Sequence, residues 1–249
     1  MPESVRKTLL ERRSIRRYER DAVSDSDMQL IHDAIRNTPT SYNGQQYTVI
    51  DIDDPVTKER IYEITGQKQI KTCNRFLVFC ADYNKITQAG RAKGIDSIPF
   101  TGTVDGLIVG VIDASLAMMS ALVAAQSLGL GTCCVGYART ADPDRIAKLL
   151  DLPQGVFVVC GLTIGIPREM PDMKPKQSEA LLIHRNAYRH DDMLRELREY
   201  DREVSVYNET REGAKTTNDW VTHIIGYYRE GESYHLGDAL RRRGFLTHD

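Results

Sequence analysis

The densest chemistry in the chain lies in Arg12-Arg13-Ser14-Ile15-Arg16-Arg17-Tyr18, where four arginines and a serine crowd into seven positions. A guanidinium fork matches phosphate oxygens bidentately and keeps its charge at any physiological pH, so this composition suits a phosphate monoester. Ser14 adds a hydroxyl donor, and Arg13 and Arg16, three apart, can converge on one anion while Ile15 points inward. Cations also gather at helix C-termini, where the dipole favours them. One or two arginines would satisfy that second reading, and spacing alone leaves both open.

Other chemistry is sparse. The six histidines (His32, His184, His190, His223, His235, His248) lack i,i+4 pairing, so no zinc site is expected. No G-x-S-x-G elbow, Walker A loop or Rossmann glycine fingerprint occurs. The five cysteines show neither CxxC nor metal spacing. Cys80 and Cys160 fall in strand-like apolar runs as inert core residues, and Cys133-Cys134 reads as a buried strand, with redox activity as the alternative. What remains is a phosphate clamp, amide-rich loops and a glycine-bearing strand. That is equipment for holding a cofactor that carries its own chemistry.

Such a site needs a scaffold. The 249 residues suffice for one large core, and 41% hydrophobic with 27% charged residues is ordinary globular composition. A net charge of −2 supplies no global field for nucleic acid or acidic lipid, so the arginine cluster is local and suited to one small anion. The N-terminus is charged where a signal peptide needs an apolar stretch. No apolar run reaches the roughly 20 residues that span a bilayer; Leu107 to Leu130 is broken by Asp113, Ser115, Ser120, Gln126 and Ser127. A cytoplasmic protein is expected, with neither membrane nor nucleic acid as partner.

The elements follow from period and punctuation. An amphipathic run (Val5, Leu9, Leu10) leads as a helix into the arginines. Ser24-Asp25-Ser26-Asp27 opens a second helix that Pro39 ends, before a polar loop over 40–46. Tyr47 to Ile52 alternates as a strand, Pro55 starts a helix that stops near Gly66, and Arg75 to Ala81 is a strand covered on both faces. Residues 84–102 form a plausible lid. Val104 to Leu128 is a long helix, apolar almost all round, and so a central core element, a dimer interface, or both. Short strands follow at Thr132 to Gly136 and Val156 to Ile166, separated by a helix from Asp142. Beyond about residue 185, helical runs near 193–207, 220–229 and 236–243 are too polar to form their own core. The organisation expected is a main domain over 1–190 and a helical arm over 191–249 that packs on it or on a partner.

The Arg12–Tyr18 run resembles the H/R-R-S-I/V-R-x-F/Y signature of the flavin-dependent nitroreductase family. Gly66-Gln67-Lys68-Gln69 and Phe76-Leu77-Val78-Phe79-Cys80-Ala81-Asp82 resemble segments of its NADPH-dependent, oxygen-insensitive type A branch of flavin and nitro reductases. Ser127-Leu128-Gly129-Leu130-Gly131, Gly161-Leu162-Thr163-Ile164-Gly165-Ile166-Pro167, Lys174-Pro175-Lys176, Asp219-Trp220 and Arg243-Gly244-Phe245 extend the likeness nearly end to end. The resemblance implies an α+β fold with a central mixed sheet flanked by helices, the long helix at the interface of a homodimer, and FMN bound where the subunits meet. It implies that Arg12, Arg13, Ser14 and Arg16 hold the phosphate side and that Ser41 comes from the other subunit. Gln67 and Gln69 would meet the isoalloxazine edge, Val135 and Gly136 would present backbone to the ring, and Lys174 and Lys176 would add positive charge. By the same resemblance Arg211 and Lys215 would be the NADPH contacts. The implied activity is ping-pong hydride transfer from NADPH (or NADH) to free flavin, nitroaromatics or quinones, with no essential side-chain acid. A flavin-binding regulatory or storage protein, or a relative performing reductive cleavage or deiodination, is the alternative. Three positions depart from the pattern: Lys176 stands for an arginine, Tyr137 for a second glycine, and Thr216-Thr217 for basic residues.

Overall fold

The computed structural model describes residues 2–96, 98–189, 191–213 and 215–248. His190 and Ser97, part of the histidine survey and of the expected lid, lie outside the described residues.

Local signals set the element boundaries. Helix α1 (Pro2–Glu11) precedes the arginine run, and Ser24 caps α2 (Asp25–Arg36) by accepting from the Asp27 N–H. Strand β1 (Tyr47–Ile52) leads to α3 (Pro55–Thr65), which Asp54 caps. Gly66, at φ 67°, ends α3 in the left-handed region and turns the chain into α4 (Lys68–Thr72). There follow β2 (Arg75–Asp82), α5 (Asn84–Arg91), α6 (Val104–Ser127), β3 (Gly131–Val135), α7 (Tyr137–Thr140), α8 (Pro143–Leu149) and β4 (Val156–Gly165). The later helices are α9 (Glu179–Leu182), α10 (Met193–Thr210), α11 (Trp220–Gly231) and α12 (Leu236–Arg242).

Two compact units result, one of residues 1–170 with 235–249, the other of 171–234. The division therefore falls at 170/171 and not near 190. The last stretch returns to the first unit because Phe245 is buried there, edge-on to the rings of Tyr83 and Phe157.

In the first unit the strands run in the order β1-β2-β4-β3, each neighbour antiparallel. The expected mixed character survives only in an isolated parallel bridge from Ser14 to Thr132. Strands β2 and β4 are buried on both faces although antiparallel, so their near-continuous apolar runs do not disclose strand direction. Alternate residues of β2 feed two cores, Leu77, Phe79 and Ala81 on one face and Phe76, Val78 and Cys80 on the other. A bulge opposite Phe79 and Cys80 shifts the β4 register there.

Helix α6 lies on the first face through small residues, Gly110, Ala114, Ala117, Ala121 and Ala125, while Gly106 packs on the turn at Phe100. The fit is close enough that a Cβ at Gly110 would stand 2.9 Å from that of Ala81. In length and apolarity α6 would pass for a bilayer span, but this face is packed against the sheet and α2. Val104, Ile108, Ile112, Leu116 and Met119 form an exposed stripe on its other side. The expected burial all round is thus only half achieved within one chain. Residues 84–102 carry α5 and a 3-10 turn at Pro99–Gly102, whose Gly102 carbonyl accepts the Thr247 and His248 N–H groups. The candidate lid is therefore tied down at its far end.

In the second unit no residue of α9, α10 or α11 is buried. Its helices meet through polar and aromatic contacts. Tyr200 is edge-on to Trp220 at 5.3 Å, and the Val221 N–H donates to Asp201 Oδ1 at 2.9 Å.

Candidate functional site

Leaving α1, the arginine run extends along the sheet edge. The Ile15 N–H donates to the Thr132 carbonyl (2.8 Å), the Glu19 N–H to the Ile166 carbonyl (2.9 Å), and Gln126 Nε2 to both Thr132 Oγ1 (2.8 Å) and the Arg13 carbonyl (3.3 Å). Ile15 and Tyr18 are the buried anchors. The Tyr18 hydroxyl donates to the Ile15 carbonyl and lies 2.7 Å from Thr163 Oγ1, while burial pushes its pKa well above the usual phenol value. With those two side chains fixed inward, the arginines between them are left at the rim.

They do not share one fate. Glu169 accepts the N–H groups of Arg16 (2.7 Å) and Arg17 (3.2 Å), and its second oxygen lies 3.7 Å from Arg17 Nε, so Arg17 already has an acidic partner. Arg12 and Arg13 line a cavity of about 390 Å³ together with Lys7, Gln126, Gly131 and Pro167. Arg13 Nη1 donates to the Glu11 carbonyl at 2.9 Å, but its Nε is buried without a partner. A buried guanidinium nitrogen without an acceptor is costly, and the missing group is an anion or a carbonyl. Ser14 and Arg16 do not line this cavity.

The remaining candidates of the first unit converge through packing. Ile15, Ile70 and Val135 belong to one buried cluster, so the arginine run, the Gln67–Gln69 segment and the end of β3 share a foundation. Gln69 is buried and donates through Nε2 to Gln67 Oε1 at 2.9 Å, which fixes both amides. Gly136 is exposed, with φ −68° and ψ −32°, and a Cβ there would meet nothing within 4 Å. Neither packing nor backbone conformation asks for glycine, in contrast to Gly161, where a Cβ would collide with the Phe76 ring. The open space above Gly136 is what a flat ligand lying on the backbone requires. Tyr137 turns partly into the cluster below, which takes up much of the bulk that the sequence placed beside the ring.

Ser41 lies in a 3-10 turn after Thr40, its N–H bound by Asp113 of α6 at 3.1 Å. Of the vicinal cysteines only Cys133 is buried; Cys134 faces outward. Interaction between its thiol and that of Cys160 lowers the Cys160 pKa and raises that of Cys134. Cys160 is only half-buried, so the expected core placement holds for Cys80 but not for it, and the buried strand expected at Cys133-Cys134 buries only Cys133.

In the second unit Lys174 and Lys176 are exposed on the segment before α9. That segment is drawn to the end of α10 by Asp172, whose side chain accepts the Glu212 N–H at 2.9 Å and whose carbonyl accepts from Tyr207 Oη at 3.4 Å. Arg211 therefore stands close along the chain to a fixed point on the lysine segment. Its guanidinium lies 5.8 Å from the Tyr207 ring centroid, and its Nε is a second buried nitrogen without a partner. Lys215 is exposed.

Asp113, Gln126 and Glu169 are the organising residues that sequence reasoning missed. Each acts across a long sequence separation, 72 residues for Asp113 to Ser41 and 153 for Glu169 to Arg16, and no local pattern carries such a signal. Among the described residues no group of three or more histidine, cysteine or acidic side chains is placed to hold a metal.

The chain matches the profile described as Nitroreductase family over residues 9–166 and that of the family's C-terminal domain over residues 174–248. It is 35% identical over 243 residues to an FMN reductase [NAD(P)H] of Bacillus subtilis, covering 97% of both chains. It is also 35% identical over 238 residues to an oxygen-insensitive NADPH nitroreductase of Salmonella typhimurium, covering 94% of this chain and 95% of that one. Among solved structures, the hypothetical oxidoreductase YcnD from Bacillus subtilis superposes with a TM-score of 0.93 at 34% identity, covering 97% of this chain and 98% of the other.

Proposed function

This chain belongs to the nitroreductase family, and from that premise we propose that it is an FMN-dependent NAD(P)H oxidoreductase that reduces free flavin, nitroaromatics and quinones. The observation that carries the proposal is the cationic cavity at the end of α1, where Arg13 holds a buried Nε with no acceptor. A phosphate monoester supplies that acceptor. The residues fit FMN at its other end too, since Gly136 offers open backbone and the Gln67–Gln69 pair offers fixed amides.

FMN, when bound, would supply two-electron hydride chemistry between NAD(P)H and the acceptor. The protein binds and orients. Arg12 and Arg13, which line the cavity, neutralise and grip the phosphate, and Ser14 and Arg16 lie outside it. Gln67 and Gln69 pair with donors and acceptors on the ring edge, and Val135 and Gly136 give it a backbone floor. Lys174 and Lys176 add positive charge that favours electron-rich flavin. Arg211 and Lys215 meet the 2′-phosphate that separates NADPH from NADH, and the unpartnered N–H donor of Arg211 Nε supports this. No side chain is needed as an acid, because solvent can supply protons.

The working form is a homodimer. In support, the exposed stripe Val104, Ile108, Ile112, Leu116 and Met119 runs the length of α6, and soluble monomers rarely leave such a contiguous apolar surface open. A second copy covers it and brings Ser41 to the partner's flavin. We assign the flavin site to the first unit, residues 1–170 with 235–249, and treat residues 171–234 as the helical arm. The enzyme works in the cytoplasm, in keeping with its five free thiols.

A steady-state assay tests the function. NADPH oxidation by the yellow holoprotein should depend on added flavin, nitroaromatic or quinone, and initial rates should give parallel double-reciprocal lines. Bound flavin with no acceptor-dependent turnover would make the protein a flavin store, and failure to take up FMN at all would refute the proposal.

A further inference from the structure

Asp113 has no solvent exposure, although it sits in the middle of the most apolar helix of the chain. Burying a carboxylate costs several kcal/mol unless its oxygens are satisfied. Both are. Oδ1 accepts the Ser41 N–H at 3.1 Å and Oδ2 accepts the Gln46 N–H at 3.3 Å. One side chain thus pins the two ends of the loop Ser41–Gln46.

The loop it closes is strained and yet unpacked. Tyr42, Asn43 and Gln45 have φ of 54°, 53° and 53°, a region that non-glycine residues adopt at a cost. Three such residues within four positions persist only where the surroundings over-determine the backbone. Besides Asp113, Thr40 Oγ1 accepts the Gln45 N–H at 3.2 Å, and Lys85 Nζ donates to the Gln45 carbonyl at 3.2 Å. The strain secures no burial in return, because Tyr42 is 94% exposed. A conformation that is forced from below and idle above is shaped for something outside this chain's own fold.

We propose that Asp113 is the positioning residue that holds the Ser41–Asn43 edge in the form that meets FMN across the subunit boundary. The inference rests on the FMN and homodimer reading above and adds the device that presents the loop. A carboxylate is required because the task takes two acceptors. An amide offers one, and would turn its N–H₂ toward the other N–H. Ile112, the neighbour of Asp113, lies on the exposed stripe, so one turn of α6 fixes both the loop and the subunit contact.

The test is a double-mutant cycle read as FMN affinity, by titrating apoprotein, with dimerisation followed by sedimentation. One arm is Asp113→Asn; the other replaces Tyr42, Asn43 and Gln45 together by glycine, which frees the loop without touching the core. Each should weaken FMN binding about 10-fold, and the double variant should be no weaker than the worse of the two by more than about 2-fold. Hydrogen exchange at the Ser41 and Gln46 amides should speed up in Asp113→Asn while other amides of the first unit stay protected. Additive losses, or full affinity in the glycine loop, would overturn the inference. Where Asp113→Asn does not fold, Asp113→Glu, which keeps the charge but displaces the clasp, takes its place in the cycle. Wild-type apoprotein that binds no FMN would instead refute the parent reading and leave the cycle without a signal to lose.

Discussion

Replacing Arg13 with alanine should separate the energetics of binding from those of folding, with opposite signs. In the free protein Arg13 contributes one hydrogen bond, Nη1 to the Glu11 carbonyl at 2.9 Å, and carries one buried Nε with no partner. The bond is worth about 1 kcal/mol and the orphaned donor costs about 1–3 kcal/mol, so Arg13→Ala apoprotein should be no less stable than wild type. With FMN the sign reverses. A charge-assisted hydrogen bond of about 1.5–3 kcal/mol is lost, which is a roughly 10- to 150-fold weaker dissociation constant at 1.4 kcal/mol per decade. Ligand at 100 times the wild-type dissociation constant stabilises that protein by about 2.7 kcal/mol, but a variant bound 100-fold more weakly by only about 0.4 kcal/mol. For a chain of this size the difference lowers the holoprotein melting temperature by about 5–9 °C. Calorimetry with and without FMN, beside a flavin fluorescence titration, reads both quantities. Apoprotein destabilised by more than about 2 kcal/mol, together with unchanged FMN affinity, would show that Arg13 serves the fold and would refute the reasoning.

Arg211→Ala should raise KM for NADPH about 10-fold and leave NADH and kcat nearly unchanged, because the lost contact is remote from the transferred hydride; an equal fall with both nicotinamides would assign Arg211 to the support of its loop. Ile112→Glu places a charge in the α6 stripe and should yield flavin-poor monomer by sedimentation, and an unchanged dimer would exclude this stripe as the interface. At alkaline pH, burial raises Tyr83 to about 12 and the thiols of Cys73 and Cys80 to about 12. Each raised pKa stabilises the fold fully below its unfolded value, about 10 for the phenol and about 8.5 for the thiols. That contribution is lost as pH climbs toward 12, and melting temperatures should fall across this window. Tyr83→Phe should remove part of the slope at the expense of the hydrogen bond from Tyr83 Oη to the Gly106 carbonyl (2.6 Å).

Elements with a strong local signature were legible in the sequence. The Ser24 cap, the helix start at Pro55 and its stop at Gly66 stand where period and punctuation placed them, and the doubly covered strand from Arg75 and the long helix from Val104 end within one residue of the expected Ala81 and Leu128. Ile15 lies in the core as its position between arginines implied. What the sequence concealed depends on encounters between distant segments. The antiparallel order of all four strands, the return of Phe245 to the first unit and the acidic partner of Arg17 have no counterpart in any short window. Site residues were recognisable as types, but their state was not. Nothing local distinguishes Arg17, which is matched by Glu169, from Arg13, whose Nε is left waiting.

The return of the chain to the first unit also constrains how the protein can be made. Phe245 wedges between Tyr83 and Phe157, and Arg243 ties the neighbouring backbone through the carbonyls of Leu152, Pro153 and Val156. During synthesis the sheet and α6 emerge first, with a hole in their core that stays open until all of residues 171–234 have been translated. At about 5–20 residues per second that interval lasts several seconds, during which an incomplete core and the bare stripe of α6 face solvent together. Folding of this unit therefore waits on residues 235–249, and chaperone binding to nascent chains should be heaviest on those stalled between residues 170 and 240.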